Sequence, residues 1–461
     1  MSADVGRGPH TANVAVVGGG LAGLAAALAC ADAGTRVTLI ESRPRLGGAT
    51  WSFRRHGAWF DNGQHVFLRC CTEYRRFLDR LGVSGQVHLQ SRLDVPVISP
   101  SGGTTRLRRS VRLPAPLHLG AALAGYRHLS PLQRVRLFPA ALALRNVDPG
   151  APASDEMTFG RWLAARGQSH AAVERLWDLI TLPTVNLPAA EASLAMAAKV
   201  FRTGLLEDAD AADIGWSRLP LGRLHGEAGQ RAVEMAGGRV RLRTAVAAIE
   251  PGGSSVRVVT ADGSVAEYDG VVVAVPHDKV DGLLPPGTVP LQSRLVDLGT
   301  SPIVNVHVVY DRRVTDHAVL AAVDSPVQWV FDHTEPAGLE RGQALTVSLS
   351  AADAHLGRPA PALSEQLVGE LARLLPGAAA ARIEDTVVTR EHAATFRAVP
   401  GTGALRPGPA TAHPRLCVAG AWTDTGWPAT MEGAVRSGSA AARRLLLSVR
   451  PASRLPEEVP A

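Results

Sequence analysis

The segment from Val14 to Glu41 constrains the fold more than any other part of the sequence. It reads VAVVGGGLAGLAAALACADAGTRVTLIE, which is an apolar strand, a glycine-rich turn, a helix of small residues and a second strand. Gly18, Gly20 and Gly23 have the GxGxxG spacing, which allows a tight turn, a close approach to a pyrophosphate and close helix-to-strand packing. The sequence therefore predicts a dinucleotide-binding strand–turn–helix.

The residues around this turn predict how the dinucleotide is held. The helix that begins with Leu21 and Ala22 directs free N–H groups and its positive dipole end toward the phosphates. Glu41 ends the second strand, where a carboxylate accepts a hydrogen bond from a ribose hydroxyl group and disfavours a 2′-phosphate. These residues suit NAD and FAD equally.

The stretch Val14–Ala31 also imitates a targeting or membrane-spanning segment, because it contains no charged residue. Glycines interrupt it at positions 18, 19, 20 and 23, and no clear basic region precedes it. We interpret the stretch as a strand that turns into a helix, and as neither a signal peptide nor a transmembrane span.

The composition is that of an ordinary globular protein, with 461 residues of which 46% are apolar and 20% charged. The net charge is +6, and no dense basic run with interleaved aromatic residues is present, so we expect no nucleic-acid partner. Attraction to anionic lipid headgroups stays open. The four cysteines form no CxxC pair and the fifteen histidines no HxxxH pair. We therefore expect no metal centre and a cytoplasmic location.

A second glycine motif follows the predicted ribose acid, in the segment ESRPRLGGATWSF. The run from Arg45 to Gly48 resembles the second fingerprint of the amine oxidase and carotenoid desaturase superfamily of flavoproteins. The resemblance implies FAD as the cofactor. Gly47 and Gly48 would let the backbone pass close to the pyrophosphate, and Arg45 would neutralise phosphate charge.

Two further segments complete the predicted cofactor site. LCVAGAWTDTGWPATMEGAVRSGSAAARRLL resembles the C-terminal flavin motif of the same superfamily. The resemblance implies that a buried strand delivers Gly420 and that Asp424 holds a ribityl hydroxyl group. It also implies that Val246, in RVRLRTAVAAIE, holds the adenine through its backbone.

The last helix is predicted to start at Met431, with its N-terminus directed to the flavin. Thr430 is suited to cap it. Four small residues predict that this helix packs closely against the nucleotide-binding domain: Gly433, Ala434, Gly438 and Ala441.

The order of strand and helix patterns predicts an α/β fold, a Rossmann-like FAD-binding domain of the GR2 flavoprotein type with an interleaved α+β substrate domain. The FAD-binding domain is predicted in three parts, 13–110, 211–290 and 396–447. A helical substrate-binding region is predicted at 111–210 and a sheet with a helix at 291–395, in which IVNVHVVYD, VQWVFDH and ALTVSLSA are neighbouring strands. Residues 1–12 and 448–461 are predicted to be flexible tails.

Four segments together resemble the hydroxysqualene dehydroxylase family: GGATWSFRRHGAWFDNGQHVFLRCCTEYRRFLDRLG, LPTVNLPAAEASLAMAAKVF, TFRAVPG and GAWTDTGWPATMEGAVRSG. The likeness extends from about residue 13 to 447. It implies a reductive dehydroxylation in hopanoid precursor synthesis, in which hydroxysqualene and reduced FAD give squalene, water and oxidised FAD. It also implies a long-chain isoprenoid alcohol as the substrate.

The proton donor and the reductant are less constrained. FDNGQH is the most polar segment expected beside the flavin, so Asp61 and His65 are candidate acids. Alternatively, Asp61 is a structural carboxylate in a loop and His65 is a hydrogen-bonded histidine of the core. Because only one dinucleotide fingerprint is present, the reducing equivalents come either from transiently bound NAD(P)H or from a separate reductase.

Two other classes of function stay open. One is an oxidative flavoenzyme on the same fold, a carotenoid-type desaturase or an amine oxidase. The other is a non-catalytic isoprenoid-binding protein, against which the complete set of glycines, Glu41 and the C-terminal motif argues. The basic, aliphatic stretch from Arg108 to Leu144 and the water-insoluble product predict peripheral association with the inner face of a membrane.

Overall fold

The computed structural model of the protein describes residues 11–101 and 103–449. The predicted flexible tails, 1–12 and 448–461, lie outside the described residues except at positions 11, 12, 448 and 449. The described ranges contain strands, α-helices and short 3-10 and π-helical turns. Within them, no helix is both long and apolar enough to cross a bilayer.

The bounds of the elements are as follows. The strands are β1 (Asn13–Val17), β2 (Arg36–Ile40), β3 (Ser52–Arg55), β4 (Ala58–Asp61), β5 (Val66–Leu68), β6 (Val87–Leu89), β7 (Asp94–Ile98), β8 (Thr104–Arg108), β9 (Ile214–Ser217), β10 (Arg239–Arg241), β11 (Val246–Pro251), β12 (Val256–Thr260), β13 (Val265–Tyr268), β14 (Gly270–Val273), β15 (Ser301–Tyr310), β16 (Val319–Ala322), β17 (Trp329–Asp332), β18 (Gln343–Ser350), β19 (Ile383–Thr395) and β20 (Leu416–Val418). The α-helices are α1 (Leu21–Asp32), α2 (Thr72–Arg80), α3 (Gly120–Ala124), α4 (Pro131–Arg145), α5 (Pro152–Asp155), α6 (Phe159–Ala164), α7 (His170–Ala172), α8 (Asp178–Val185), α9 (Leu194–Phe201), α10 (Ala228–Met235), α11 (His277–Val280), α12 (Thr334–Ala337), α13 (Ala360–Leu374), α14 (Pro376–Ala379) and α15 (Met431–Val449).

Five strands form one parallel sheet in the order β10-β2-β1-β14-β20. The central strands β1 and β14 read NVAVV and GVVV and are buried almost throughout, as a parallel sheet covered on both faces requires. The stretch Val14–Ala31 is β1 followed by α1, which confirms the predicted strand–turn–helix. The sheet joins parts of the chain that are far apart in sequence, because β20 comes from the C-terminal motif.

A larger, mostly antiparallel sheet has the order β19-β15-β18-β17-β16-β7-β8. The three predicted strands of the second sheet are β15, β17 and β18, and they are neighbours, as predicted. β7 and β8 also belong to this sheet, although the predicted boundaries assign residues 13–110 to the FAD-binding domain. The reason is a pairing between distant segments, Val97 of β7 with Ala321 of β16, and a short apolar strand such as DVPVI does not indicate which sheet it joins.

The region between residues 111 and 206 is mostly helical, as predicted, and contains α3 to α9. Its helices pack around large buried side chains, which include Leu137, Trp162, Trp177 and Phe201. β7, β16 and β17 contribute residues to the same cluster. The helical region therefore packs directly on the larger sheet.

The C-terminal helix α15 packs along α1, against the nucleotide-binding sheet. It begins at Met431, and the Thr430 hydroxyl oxygen accepts a hydrogen bond from the Gly433 N–H at 3.2 Å, which confirms the predicted cap. A β-carbon on Gly438 would overlap the carbonyl oxygen of Ala22. The predicted close packing of α15 therefore depends on the missing side chain at Gly438.

We expect Gly438→Ala to destabilise the protein by about 1–3 kcal/mol, because α15 must move away from α1 to make room for the methyl group. Gly369 provides the matched control, since it lies inside α13 and a β-carbon there would meet open space. Gly369→Ala is expected to raise stability by up to about 1 kcal/mol. Thermal unfolding followed by circular dichroism measures both changes. A melting temperature of Gly438→Ala at or above that of wild type would contradict the packing argument.

Candidate functional site

The glycine turn after β1 brings backbone groups close together at the carboxyl end of the parallel sheet. Gly18 has a φ of +108°, and a β-carbon there would overlap the Ala274 carbonyl oxygen. A β-carbon on Gly23 would overlap the carbonyl oxygen of Gly18. Because α1 begins at Leu21 directly behind the turn, the amides of its first turn face the loop without helical acceptors. The arrangement is suited to an anion.

The second glycine motif lies directly on the first. The Gly47 N–H donates to the Gly19 carbonyl oxygen at 2.8 Å. Gly48 has a φ of +57°, and a β-carbon there would lie 2.8 Å from the α-carbon of Gly20. The two motifs, which sequence analysis identifies separately, therefore form one cradle of backbone atoms in which side chains do not fit.

Glu41 is buried directly after β2, at the edge of this cradle. Its carboxylate accepts hydrogen bonds from the Gly19 N–H at 2.7 Å, the Arg43 N–H at 2.8 Å and the Ser42 hydroxyl group at 3.0 Å. A carboxylate offers about four lone-pair sites. Three are used by the protein, so roughly one is free for a ligand hydroxyl group.

Arg45 is a partly buried cation beside the second glycine motif. Its guanidinium group lies 4.2 Å from the ring centre of Trp51, and its Nε has no hydrogen-bond acceptor among the described residues. Burial, together with the neighbouring Arg43, lowers the pKa of Arg45. An anionic group bound at the cradle would supply the missing acceptor.

The C-terminal motif reaches the same sheet edge through β20. Gly420 has a φ of +150°, and its N–H donates to the Ser437 hydroxyl oxygen of α15 at 2.9 Å. Met431 is buried at the start of α15. Asp424, by contrast, is exposed, and its carboxylate accepts a hydrogen bond from the Gly426 N–H within its own turn. Gly420 and Met431 are thus packed against neighbouring elements, whereas the Asp424 side chain is accessible to a ligand or to solvent.

Val246 is the first residue of β11, in a separate three-stranded sheet formed by β11, β12 and β13. The pairing of β11 with β12 shifts register between Val246 and Ala248, which is a β-bulge. The Val246 side chain is partly buried and packs against the core beneath the parallel sheet. A bulge leaves a backbone group outside the ladder, and this is compatible with a backbone contact to a ligand.

Asp61 ends β4 and is buried in a polar cluster. One carboxylate oxygen accepts hydrogen bonds from the Ser52 hydroxyl group and from the Leu221 N–H at 3.0 Å. The other carboxylate oxygen lies 3.6 Å from Nε2 of His333. Burial raises the pKa of Asp61, and His333 opposes that shift.

His65 lies four residues further along, with a partly buried side chain. Burial lowers its pKa to about 4, while a hydrogen bond with the backbone of Ala49 opposes the shift. His65 is therefore neutral at pH 7, whereas Asp61 retains its proton to a higher pH than an ordinary aspartate. Burial therefore shifts the pKa values of the two candidate acids in opposite directions.

Two charged residues that sequence analysis missed position the loops of the site. Arg406 is buried and donates hydrogen bonds to the carbonyl oxygens of Trp422 at 3.2 Å, Thr423 at 2.6 Å and Trp427 at 2.8 Å. It thereby holds the loop that follows Gly420. Nothing in the local sequence around Arg406 indicates this contact, because its partners are 16 to 21 residues away.

Glu432, in the first turn of α15, is also buried. Its carboxylate accepts hydrogen bonds from the N–H groups of Tyr74 at 2.7 Å and Glu73 at 3.3 Å, in the first turn of α2, and from Arg436 Nε at 2.6 Å. An acid in a first helical turn normally stabilises its own helix. Here it also caps α2, which joins the N-terminal and C-terminal parts of the site.

Buried histidines make the stability of this region depend on pH. His225 and His307 are buried, and burial lowers the pKa of each to about 3. In the unfolded chain they titrate near pH ~6.5. As the pH falls below that value, the unfolded state takes up protons that the folded state does not, so stability decreases until the folded pKa is reached.

We therefore expect His307→Gln to reduce the loss of stability between pH 6.5 and pH 4 by about 1 kcal/mol per pH unit. Urea unfolding at several pH values measures the free energy of unfolding. His392→Gln, at an exposed position of β19, is the control and should retain the wild-type slope. Parallel slopes for His307→Gln and wild type would show that His307 is not buried in its neutral form.

Comparison with known proteins agrees with this geometry. Residues 21–446 match the family described as flavin containing amine oxidoreductase. Hydroxysqualene dehydroxylase from Rhodopseudomonas palustris is 29% identical over 95% of this chain and 99% of its own length. The hydroxysqualene dehydroxylase from Sinorhizobium fredii is 28% identical over 93% of this chain and 97% of its own length.

Other similar proteins carry out different reactions. The 15-cis-phytoene desaturase of Narcissus pseudonarcissus is 26% identical over 94% of this chain and 79% of its own length. Among solved structures, cyclohexylamine oxidase from Brevibacterium oxydans superposes with a TM-score of 0.74, at 19% identity over 96% of this chain and 100% of that chain. Putrescine oxidase bound to putrescine has a TM-score of 0.72, at 20% identity over 95% of this chain and 99% of that chain. The two oxidases support the fold alone.

The family match covers helix α1, the second glycine motif and the C-terminal motif in a single span. The predicted α/β flavoprotein fold and the predicted cofactor, FAD, are confirmed. The protein belongs to the flavin-containing amine oxidoreductase family and is an FAD-dependent oxidoreductase.

Proposed function

We propose that the protein catalyses the reductive dehydroxylation of hydroxysqualene to squalene. The main support is the end-to-end match to two hydroxysqualene dehydroxylases, which covers at least 97% of each relative, against 79% of the phytoene desaturase. Reduced FAD supplies the hydride, so that hydroxysqualene and reduced FAD give squalene, water and oxidised FAD. The substrate is then a long-chain isoprenoid alcohol in hopanoid precursor synthesis.

A carotenoid-type desaturation is the second candidate function, because phytoene desaturases are similar at nearly the same identity. It differs in direction, since a desaturase oxidises its substrate and the proposed reaction reduces it. An amine oxidase is supported by fold similarity alone. The backbone cradle around Gly18 and Gly48 favours all of these over a non-catalytic isoprenoid-binding protein, which needs no such cradle.

We propose that FAD is held by the cradle and the surrounding elements. The glycine turn and the start of α1 would bind the pyrophosphate, and Glu41 would accept a ribose hydroxyl group with its remaining lone pair. Arg45 would donate to a phosphate oxygen through its Nε, which has no acceptor within residues 11–101 and 103–449. The full set of proposed cofactor-binding residues is Gly18, Gly20, Leu21, Ala22, Gly23, Glu41, Arg45, Gly47, Gly48, Val246, Gly420, Asp424 and Met431.

Asp61 is the proposed proton donor, with His65 as the alternative. Loss of the substrate hydroxyl group requires a group that is protonated near neutral pH. The raised pKa of Asp61 favours its acid form, whereas the lowered pKa of His65 leaves a neutral imidazole, which is a poor acid. The burial of Asp61 also keeps water away from this carboxyl group.

The proposed reaction also requires a reductant and access to a water-insoluble substrate. Reducing equivalents would come from transiently bound NAD(P)H or from a separate reductase. The substrate and the product partition into lipid, so we propose that the protein acts in the cytoplasm, in peripheral association with the inner face of a membrane.

We expect Glu41→Ala to weaken FAD binding by roughly 10- to 100-fold, since a hydrogen bond to a charged group contributes about 1.5–3 kcal/mol. FAD titration of the apoprotein, followed by flavin fluorescence, measures the dissociation constant. Glu250→Ala, at an exposed position of β11, is the control and should bind FAD as wild type does. Unchanged affinity in Glu41→Ala would remove the ribose assignment.

The reaction itself is tested by mixing photoreduced enzyme with hydroxysqualene without oxygen. We expect squalene in amounts stoichiometric with the flavin, together with the spectrum of oxidised flavin. Asp61→Asn should slow this single turnover by about 100-fold or more, because general acids contribute roughly 10²–10⁴-fold. The exposed Asp316→Asn should react at the wild-type rate.

Several results would contradict the proposals separately. Flavin that stays reduced, with no squalene formed, excludes the dehydroxylation. Desaturation of phytoene by the oxidised enzyme would establish the second candidate function instead. A slow His65→Gln variant beside a fast Asp61→Asn variant would transfer the role of proton donor to His65.

A further inference from the structure

Helix α4 has two apolar faces, and only one of them is buried. Leu137, Ala140 and Leu144 point into the core of the helical region. Leu132, Val135, Phe138 and Leu142 point outward, and Val135 is 66% exposed. An ordinary surface helix has one apolar stripe and a polar opposite face, so the outward stripe is unexplained by folding.

The segment before α3 carries further exposed apolar side chains, and α3 itself packs against α4. Val111, Leu113 and Leu117 are exposed as well. With the four residues of α4 they make seven of the thirteen large apolar side chains that are exposed among the described residues, within 32 consecutive positions. We call these seven residues the docking face. Such a concentration of exposed apolar groups marks an interaction surface.

The charged residues of the chain segment that carries the docking face have a single sign. Residues 95–147 contain eight arginines and no aspartate or glutamate. Arg112, Arg127, Arg136 and Arg145 are exposed, and none of them forms an ion pair with any of the described residues. At about 100° per residue, Arg136 lies on one side of the outward stripe of α4 and Arg145 on the other. A partner must therefore accept apolar side chains in the centre and provide negative charge at the margins.

We infer that the docking face binds the surface of an anionic phospholipid bilayer, with the apolar side chains at the level of the acyl chains and the arginines at the phosphates. A second copy of the chain fits less well, because a symmetric contact would bring two acid-free, arginine-rich segments together. Nucleic acid fits less well because the exposed Leu, Val and Phe side chains at the centre of the surface provide neither charge nor hydrogen bonds for its phosphates. The inference rests on the membrane association included in the proposed function and assigns it to a surface, and its test does not require the proposed reaction.

The test is co-sedimentation of the FAD-loaded full-length protein with vesicles. We expect binding to vesicles of phosphatidylcholine with phosphatidylglycerol, weaker binding as salt is raised, and little binding to phosphatidylcholine alone. The double variant Arg136→Gln/Arg145→Gln should bind the anionic vesicles roughly tenfold more weakly, and Val135→Glu/Phe138→Glu should lose a similar amount or more.

Matched controls are available elsewhere on the surface. Met235 is 87% exposed at the end of α10 and Arg341 is exposed between α12 and β18, so Met235→Glu and Arg341→Gln should bind as wild type does. Equal loss in the controls, or equal binding to uncharged vesicles, would overturn the inference. Two other results would also overturn it if the wild-type protein did not bind vesicles. One is a dimer that Val135→Glu/Phe138→Glu converts to a monomer, and the other is DNA binding that only the arginine variant loses. Squalene formation with detergent-dispersed substrate is measured in parallel, so failure of the reaction and failure of the docking face are separate results.

Discussion

The structure depends on how closely backbone atoms approach one another at the carboxyl end of the parallel sheet. The turn at Gly18 lies against the chain after β14, and the motif at Gly48 lies on Gly20. Along α1 itself, Gly438 brings α15 against the carbonyl oxygen of Ala22. A side chain at any of these positions would push the elements apart and change the backbone cradle in front of the amides at the start of α1. Close packing and the proposed binding of an anion therefore have the same cause.

Buried charges hold the loops that surround this cradle. Glu41, directly after β2, accepts a hydrogen bond from the first glycine turn. Arg406 donates hydrogen bonds to three carbonyl oxygens of the C-terminal loop, and Glu432 of α15 caps α2. Each of these side chains has several hydrogen-bond partners, which offsets the cost of removing a charge from water. The partners come from chain segments that are far apart, so the three charges fix the relative positions of the N-terminal and C-terminal parts of the site.

The sequence permits prediction of those features whose cause is local. The glycine spacing, the cap at Thr430 and the small residues of α15 each involve neighbours within a few positions or a recognisable motif, and the structure contains them as predicted. Contacts between distant segments were not predictable in this way. β7 pairs with β16 across more than two hundred residues, and His333, which directly follows the central strand β17 of the larger sheet, lies beside Asp61.

The proton chemistry follows from the same long-range assembly. Asp61 ends β4, but the groups that decide its protonation belong to other elements. Ser52 and Leu221 donate hydrogen bonds to it, and His333 follows β17 of the larger sheet. Burial favours the neutral form of the carboxyl group and of the imidazole alike, so it raises the pKa of Asp61 and lowers that of His333. Both pKa shifts favour the state in which the Asp61 carboxyl group is protonated and the His333 ring is uncharged. An acid of this kind would be lost if the larger sheet were displaced, even with every residue of FDNGQH intact. The candidate proton donor therefore depends on the contact between the β3–β4 hairpin and the larger sheet, and not on the motif alone.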